Sequence, residues 1–245
     1  MKSRGSENVP IAEVPVALLA GGLATRLRPI TQTIPKALVE VAGRPFIDHQ
    51  LDLLHLHGIR RVVFCLGHLG EQVEAHVGDG AAFSLNVQYS YDGATLQGTG
   101  GALRRALPLL GEEFWVMYGD SYMDICYRDV LAHFQAQNVL GLMTVLRNCD
   151  RWDSSNVVYR DGQLMRYDKR AKTAEMQYID YGVSILRRAA IERISPDQPF
   201  DLADLYRDLV AERQMVGYEV RERFYEIGTP ASLQEADDYL RQRAA

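Results

Sequence analysis

The first residues that could do chemistry form the stretch Leu19-Ala20-Gly21-Gly22-Leu23-Ala24-Thr25-Arg26, which runs on to Pro35-Lys36. Adjacent glycines let backbone N–H groups approach a ligand that any Cβ would hold away. Arg26 and Lys36 add positive charge, one as a planar fork and the other as a point charge, and both suit phosphate oxygens. Pro29 and Pro35 stiffen the loop. Two common phosphate loops are excluded: no Gly-Lys-Ser/Thr closes the stretch, and no Gly-x-Gly-x-x-Gly occurs in it. A second glycine-rich stretch, Gly98-Thr99-Gly100-Gly101-Ala102, opens a helical pattern. It reads either as a helix N-terminus offered to a ligand or as small residues needed for packing. Asp120 follows Gly119 at the tip of an apolar run, where a carboxylate can hold Mg²⁺ that bridges phosphates.

These residues need a scaffold, and the hydrophobic pattern supplies one. Val14 to Leu19 reads as a buried strand that ends at the glycines, Arg61 to Leu66 as a second, Leu85 to Tyr89 as a third and Glu113 to Tyr118 as a fourth. Helical patterns start at Arg44-Pro45 and end at Gly58, cover Gly70 to Val77, and fill Gly98 to Leu110 and Val130 to Gln137. Leu140 to Arg147 is a fifth strand. Strands alternating with helices at this spacing predict an α/β fold with a parallel sheet and helices on both faces. In such sheets the ligand crevice lies outside the C-terminal strand ends, where the first glycines and Asp120 fall. After about residue 150 the rhythm changes to strands over Asn156–Tyr159, Gln163–Tyr167 and Tyr178–Leu186. Helices over Ala189–Ile194 and Leu202–Arg213, a strand over Met215–Val220 and a closing helix from Pro230 to Arg241 follow.

Composition bounds the rest. The 245 residues, 47% apolar, suffice for one well-buried core. The net charge of −5 argues against a nucleic-acid surface but leaves room for a locally basic pocket. Three widely spaced cysteines, Cys65, Cys126 and Cys149, with no Cys-x-x-Cys, read as buried free thiols rather than a disulfide or zinc framework. No apolar run reaches the roughly 18–20 residues of a membrane span. The polar opening MKSRGSENVP lacks a signal-type apolar region, so a cytoplasmic location is expected. Residues 1–13 read as a flexible extension and 14–245 as one domain, with halves at 14–150 and 151–245. Oligomeric state is not readable.

The stretch LAGGLATRLRPITQTIPKALVEVAGRPFIDHQLDLL resembles the signature of the sugar-1-phosphate nucleotidyltransferases, also called nucleotide-sugar pyrophosphorylases. That resemblance implies a Rossmann-like, mixed but mostly parallel sheet flanked by helices, with a smaller sugar-binding β subregion in the second half. It implies transfer of a nucleotidyl group from a nucleoside triphosphate to a sugar 1-phosphate in nucleotide-sugar biosynthesis, with Mg²⁺. Arg26, Lys36, Asp120 and Lys169 then stand as catalytic candidates. Leu19, Ala20, Gly21, Gly22, Thr25, Gly98 and Thr99 are implied at the nucleotide. The pair Asp168-Lys169 is similar to the family's acidic–Lys pair at the sugar and its phosphate, with Arg170 where a Pro often follows. Asp180 and Gly182 are placed at the same pocket. Phe224-Tyr225-Glu226-Ile227-Gly228-Thr229-Pro230 is similar to the segment that carries the second metal ligand, here Glu226 instead of Asp. Ala24 stands where many members have Gly. The GTGGA version looks most like heptose-1-phosphate guanylyltransferases, which points to guanine and a heptose or hexose phosphate. Three rivals are a nucleotide-sugar-binding regulatory module, transfer to a non-sugar phosphate such as phosphocholine, and a metal-dependent glycosyltransferase. The last is disfavoured because no Asp-x-Asp follows the fourth strand.

Overall fold

The computed structural model describes residues 9–196 and 198–244. We number the main strands β1 (Val16–Leu19), β2 (Arg61–Leu66), β3 (Asn86–Tyr91), β4 (Glu113–Tyr118), β5 (Gly141–Arg147), β6 (Val157–Arg160), β7 (Gln163–Tyr167), β8 (Tyr178–Arg187) and β9 (Met215–Val220). The helices are α1 (Phe46–Leu56), α2 (Gly70–Val77), α3 (Gly98–Ala106), α4 (Tyr127–Gln135), α5 (Arg188–Ile191), α6 (Leu202–Ala211) and α7 (Pro230–Ala244).

The nine strands form one sheet with the order β7-β6-β8-β4-β1-β2-β3, and β5 joins β8 and β9. β4, β1, β2 and β3 are parallel, with Val16 level with both Val62 and Trp115. Each residue of β1 is buried, because helices cover both faces. Val16 and Leu18 point into a cluster with Ile47, Leu51 and Leu54 of α1, Val73 of α2 and Phe134 of α4. Ala17 and Leu19 point the other way, against Leu103 of α3 and Leu202, Leu205 and Leu209 of α6. This alternation across a doubly covered sheet is the period-2 rule at work. A third cluster docks α7 through Ala236 and Leu240 onto Val41, Phe46 and Ile227.

The fifth strand departs from the expected parallel run. β5 does not lie beside β4. β8 inserts between them, antiparallel to β4 (Val183 opposite Met117) and to β5 (Ser184 opposite Met143). The sheet is therefore mixed beyond β4. Hydrophobic runs report that a strand is buried on both faces, but they carry no information about which neighbour it takes. One edge of β8 pairs with β5. Its other edge passes from β6 at Tyr178 to β4 at Val183, which opens a fork around residues 179–182.

Residues 1–8 of the expected extension lie outside the described residues. Ile11–Glu13 forms a 3₁₀ turn, Gln135 Nε2 donates to the Val9 carbonyl at 3.0 Å, and Arg61 donates to the Glu13 carbonyl. Cys65 is buried, whereas Cys126 and Cys149 are exposed, which corrects the reading of all three as buried thiols. Among the described residues no helix is long and apolar enough to cross a membrane.

Candidate active site

The parallel strands end level with one another, since Leu19 is opposite both Cys65 and Tyr118. The loop after β1 starts from a backbone crossing. The Ala20 amide donates to the Cys65 carbonyl, and the His68 amide to the Gly21 carbonyl. A Cβ on Gly21 would sit 2.9 Å from the Gly67 nitrogen, and one on Gly67 would sit 2.6 Å from the Gly21 oxygen. Gly21 is therefore required by its neighbour strand. A Cβ on Gly22 would meet nothing within 4 Å, so Gly22 is the glycine that keeps space open. Ala24 adopts φ +46°, in the left-handed region where glycine is favoured. Thr31 Oγ1 holds that turn by donating to the Ala24 carbonyl at 2.7 Å.

Lys36 sits on a 3₁₀ turn and extends its ammonium to Asp120 Oδ2 at 2.7 Å, with side chains only 16% and 31% exposed. Asp120 is held from several sides. Gln50 of α1, 1% exposed, donates to the carbonyls of Tyr118 (2.9 Å) and Ser121 (2.6 Å), on either side of it. Ser121 Oγ donates to Asp120 Oδ1, and the Ile227 amide donates to the Asp120 carbonyl. Gln50 was not singled out in the sequence, where it reads as one polar residue on an amphipathic helix.

Two cavities meet at Tyr118 and Asp120. The first, about 290 Å³, is lined by Leu19, Ala20, Gly21, Gly22, Lys36, Gly98 and Thr99, and also by Cys65, Asp92 and Leu96. The second, about 390 Å³, lies at the fork of β8. Arg26, Asp168, Lys169, Asp180, Gly182 and Glu226 line it, joined by Asp153, Ser154, Ser155 and Lys172. Of the residues expected here, Thr25 lines neither cavity. It begins the short turn Thr25–Leu27 and accepts the Arg28 amide through its carbonyl.

The second glycine stretch is built mainly by packing. The Gly100 and Gly101 amides, at the start of α3, both donate to the Phe200 carbonyl. A Cβ on Gly100 would lie 2.7 Å from the Phe200 ring, and one on Gly98, at φ +69°, 2.7 Å from the Phe200 oxygen. Thr99 Oγ1 accepts the Leu202 amide at 2.9 Å and faces Asp201, tying α3 to the start of α6. The helix amides expected to face a ligand are thus satisfied within the protein, while Gly98 and Thr99 still border the first cavity.

In the second cavity Lys169 Nζ lies 3.7 Å from Asp180 Oδ2, whose side chain is 4% exposed. Tyr167 donates to that same oxygen at 3.4 Å. The Asp180 amide donates to Asn156 Oδ1, and the Gly182 amide (φ +93°) folds back onto Asp180 Oδ1. Side chains thereby satisfy backbone groups that the fork leaves without a ladder partner. Asp168 lines this cavity and also braces its own loop. Its Oδ1 accepts the Ala171 and Arg170 amides at 2.8 Å, which hold its carboxyl below the usual carboxylate range and shape the loop. Burial first, then the carboxylates of Asp180, Asp201 and Asp120, push the Tyr118 phenol far above its ordinary value, so it is neutral.

The loop after β5 forms one wall of this cavity. Asn148, fully buried, donates to the Asp153 carbonyl (2.6 Å) and Ser155 Oγ (3.1 Å) and accepts the Trp152 amide. Ser155 and Asp150 exchange two further hydrogen bonds. Short polar residues in the Cys-Asp-Arg-Trp-Asp-Ser-Ser run mark a turn in the sequence, and its Ser154 and Ser155, with Asn156 after them, line the cavity.

Glu226 lies on a two-residue strand, Tyr225–Glu226, paired with Ser121–Tyr122 so that Glu226 is opposite Ser121. Its Oε2 accepts the Gly228 amide. Among the described residues no group of three or more His, Cys, Asp or Glu side chains is placed to hold a metal. Asp120, in the turn just before the Ser121–Tyr122 strand, and Glu226, opposite Ser121, both line the second cavity; two carboxylates suit Mg²⁺, which takes one or two and completes its shell with phosphate oxygens and water.

The fold is a mixed, mostly parallel α/β sheet with two adjoining cavities at the C-terminal ends of its parallel strands, where open α/β sheets bind their ligands. The chain belongs to the nucleotidyl transferase family, whose model matches residues 16–243. It is 31% identical over 225 residues to N-acetylmuramate alpha-1-phosphate uridylyltransferase of Neisseria meningitidis serogroup B, covering 89% of this chain and 95% of the relative. It is 28% identical to a UTP–glucose-1-phosphate uridylyltransferase of Synechocystis over 79% of this chain, but spans only 54% of that relative's length. In fold it resembles HddC from Yersinia pseudotuberculosis complexed with GMP-PN, with a TM-score of 0.76 and 22% identity over 93% of this chain and 99% of that one.

Proposed function

We propose that the chain transfers a nucleotidyl group from a nucleoside triphosphate to a sugar 1-phosphate, releasing pyrophosphate, as a cytoplasmic enzyme. The observation that carries this reading is the meeting of two cavities at Asp120, with Lys36 on the first and Arg26 and Lys169 on the second. A one-substrate enzyme has no need of two adjoining cavities, each with its own cation. The names of the relatives, uridylyl and guanylyl transferases acting on sugar 1-phosphates, support the same reaction.

The triphosphate lies in the first cavity, over Gly21 and Gly22, with Leu19, Ala20, Gly98 and Thr99 as its walls. The acceptor lies in the second, with its phosphate toward Lys169 and Arg26 and its hydroxyls toward Asp168, Asp180 and the Gly182 turn. An oxygen of the acceptor phosphate attacks the α-phosphorus in line. The new O–P bond forms as the bond to the β-phosphate bridge breaks, and pyrophosphate leaves with the electron pair. The nucleophile is already ionised, so no general base is required. The protein's task is to hold two anions together against their repulsion. Asp120 and Glu226 would hold Mg²⁺, which when bound neutralises phosphate charge. Lys36, released from Asp120, then turns to the triphosphate.

The test is pyrophosphate release with a panel of triphosphates and sugar 1-phosphates, with Mg²⁺ or EDTA. Lys36→Ala should lower kcat/KM by about 10²- to 10³-fold with only a small fall in melting temperature, because the Lys36–Asp120 pair still reaches solvent and such partly exposed ion pairs add about 1 kcal/mol to stability. Full activity in that variant, or release with no acceptor requirement, would sink the proposal.

A further inference from the structure

Arg223 lines neither cavity and has none of the roles above. The carbon at the centre of its guanidinium stands 5.3 Å from the centre of the Trp152 ring and 4.9 Å from that of Tyr225. One amino group donates to Glu235 of α7, while Nε is buried with no hydrogen-bond partner among the described residues. A guanidinium set over two aromatic rings, with a donor left unused, is placed by its flat faces more than by its N–H groups.

The two rings belong to different segments of the second cavity's wall. Trp152 precedes Asp153, Ser154, Ser155 and Asn156, which line it, and Tyr225 sits between Phe224 and Glu226, which line it too. The first segment is a loop that Asn148 braces at its base and that turns through Cys149 and Asp150 at φ +47° and +58°. Its Trp152 ring is 36% exposed, so burial alone does not fix it. Arg151 also lies over that ring, at 4.6 Å, but belongs to the same loop. Arg223 is the cation that ties the ring to another segment. That other segment is well anchored: Tyr225 stacks on Tyr239 of α7 with ring centres 3.8 Å apart, and Phe224 packs edge-on against Tyr181 at 5.6 Å.

We propose that Arg223 is a positioning residue for the acceptor. By standing over Trp152 and Tyr225 together it fixes the loop that carries Ser154 and Ser155 against the segment that carries Phe224 and Glu226, and so sets the width of the second cavity. It touches no substrate itself and acts through the two rings. The first cavity shares neither segment, so the effect falls on the acceptor and spares the triphosphate. The proposal rests on the transferase reading for what fills the second cavity and adds the device that holds that cavity in shape.

The test pairs steady-state pyrophosphate release, with each sugar 1-phosphate that the parent turns over, with acrylamide quenching of tryptophan emission in the substrate-free protein. Trp115, the other tryptophan, is fully buried, so quenching reports Trp152. Arg223→Ala loses two partly exposed cation–π contacts and should raise KM for the sugar phosphate about 10-fold, with KM for the triphosphate changed less than about threefold and Trp152 more easily quenched. Arg223→Lys keeps a cation over the rings and should restore KM to within about threefold of the parent. Trp152→Leu should raise the same KM, and the double variant should lose less than the product of the two single losses, as coupled residues do. Glu235→Gln breaks the ion pair but leaves the rings and should stay near the parent. The proposal is overturned if Arg223→Ala raises both KM values alike, if the losses at Arg223 and Trp152 multiply, or if Glu235→Gln reproduces Arg223→Ala, which would reduce Arg223 to an anchor for α7. Failure of the transferase reading would appear separately, as no release from the parent with any sugar phosphate. Quenching still decides in that event, since unchanged quenching in Arg223→Ala overturns the proposal by itself.

Discussion

The two glycines that open the first cavity should respond to the same substitution in opposite ways. A Cβ at Gly21 would lie 2.9 Å from the Gly67 nitrogen and 3.2 Å from the Leu66 carbonyl carbon, all backbone of a neighbouring strand end that cannot rotate aside. Gly21→Ala must separate the ends of β1 and β2, an overpacking cost of about 1–3 kcal/mol. For a chain of this size that is a fall in melting temperature of about 2–12 °C. At Gly22 a Cβ meets nothing within 4 Å and the backbone is outside the left-handed region. Gly22→Ala should therefore leave stability within about 0.5 kcal/mol of the parent, or raise it slightly by restricting the unfolded chain. Its methyl projects beside the space assigned to the triphosphate, so KM for the triphosphate should rise while KM for the sugar phosphate holds. Thermal melts and steady-state pyrophosphate release on both variants decide the matter. A stable Gly21→Ala, or a Gly22→Ala that melts early with normal KM, would refute the division of labour.

Two further outcomes follow from single residues. Asn148→Ala should cost about 1–3 kcal/mol, read by urea unfolding, because the Asp153 carbonyl and Trp152 amide lose their buried partner; by loosening the acceptor wall it should raise KM for the sugar phosphate and not for the triphosphate. Burial, with a contribution from Asp92, pushes the Cys65 thiol up to about 12, so at neutral pH it is protonated and unreactive although it borders the first cavity. A thiol reagent with peptide mapping should therefore label exposed Cys126 and Cys149 in the folded protein and Cys65 only after unfolding.

Sequence and tertiary structure divided the work along a physical line. Period and punctuation are local, so β1, β2, β4 and helices α1 to α3 were legible to within a few residues. So was the placement of Gly22 and Asp120 at strand ends. The long glycine–arginine–lysine signature also carried the family. What depends on a distant partner was not legible. Gly21 and Gly22 are equivalent letters until β2 arrives with Gly67 beside only one of them. The amides of Gly100 and Gly101 look free until Phe200, a hundred residues on, accepts both. Asp168 carries no local sign that its carboxylate also accepts the Arg170 and Ala171 amides and shapes its own loop. β5 reads as the next parallel strand until β8 inserts beside β4 and creates the fork that becomes the second cavity. Gln50 and Arg223 carry no motif at all. Their significance comes from what stands opposite them, and the fold alone supplies that.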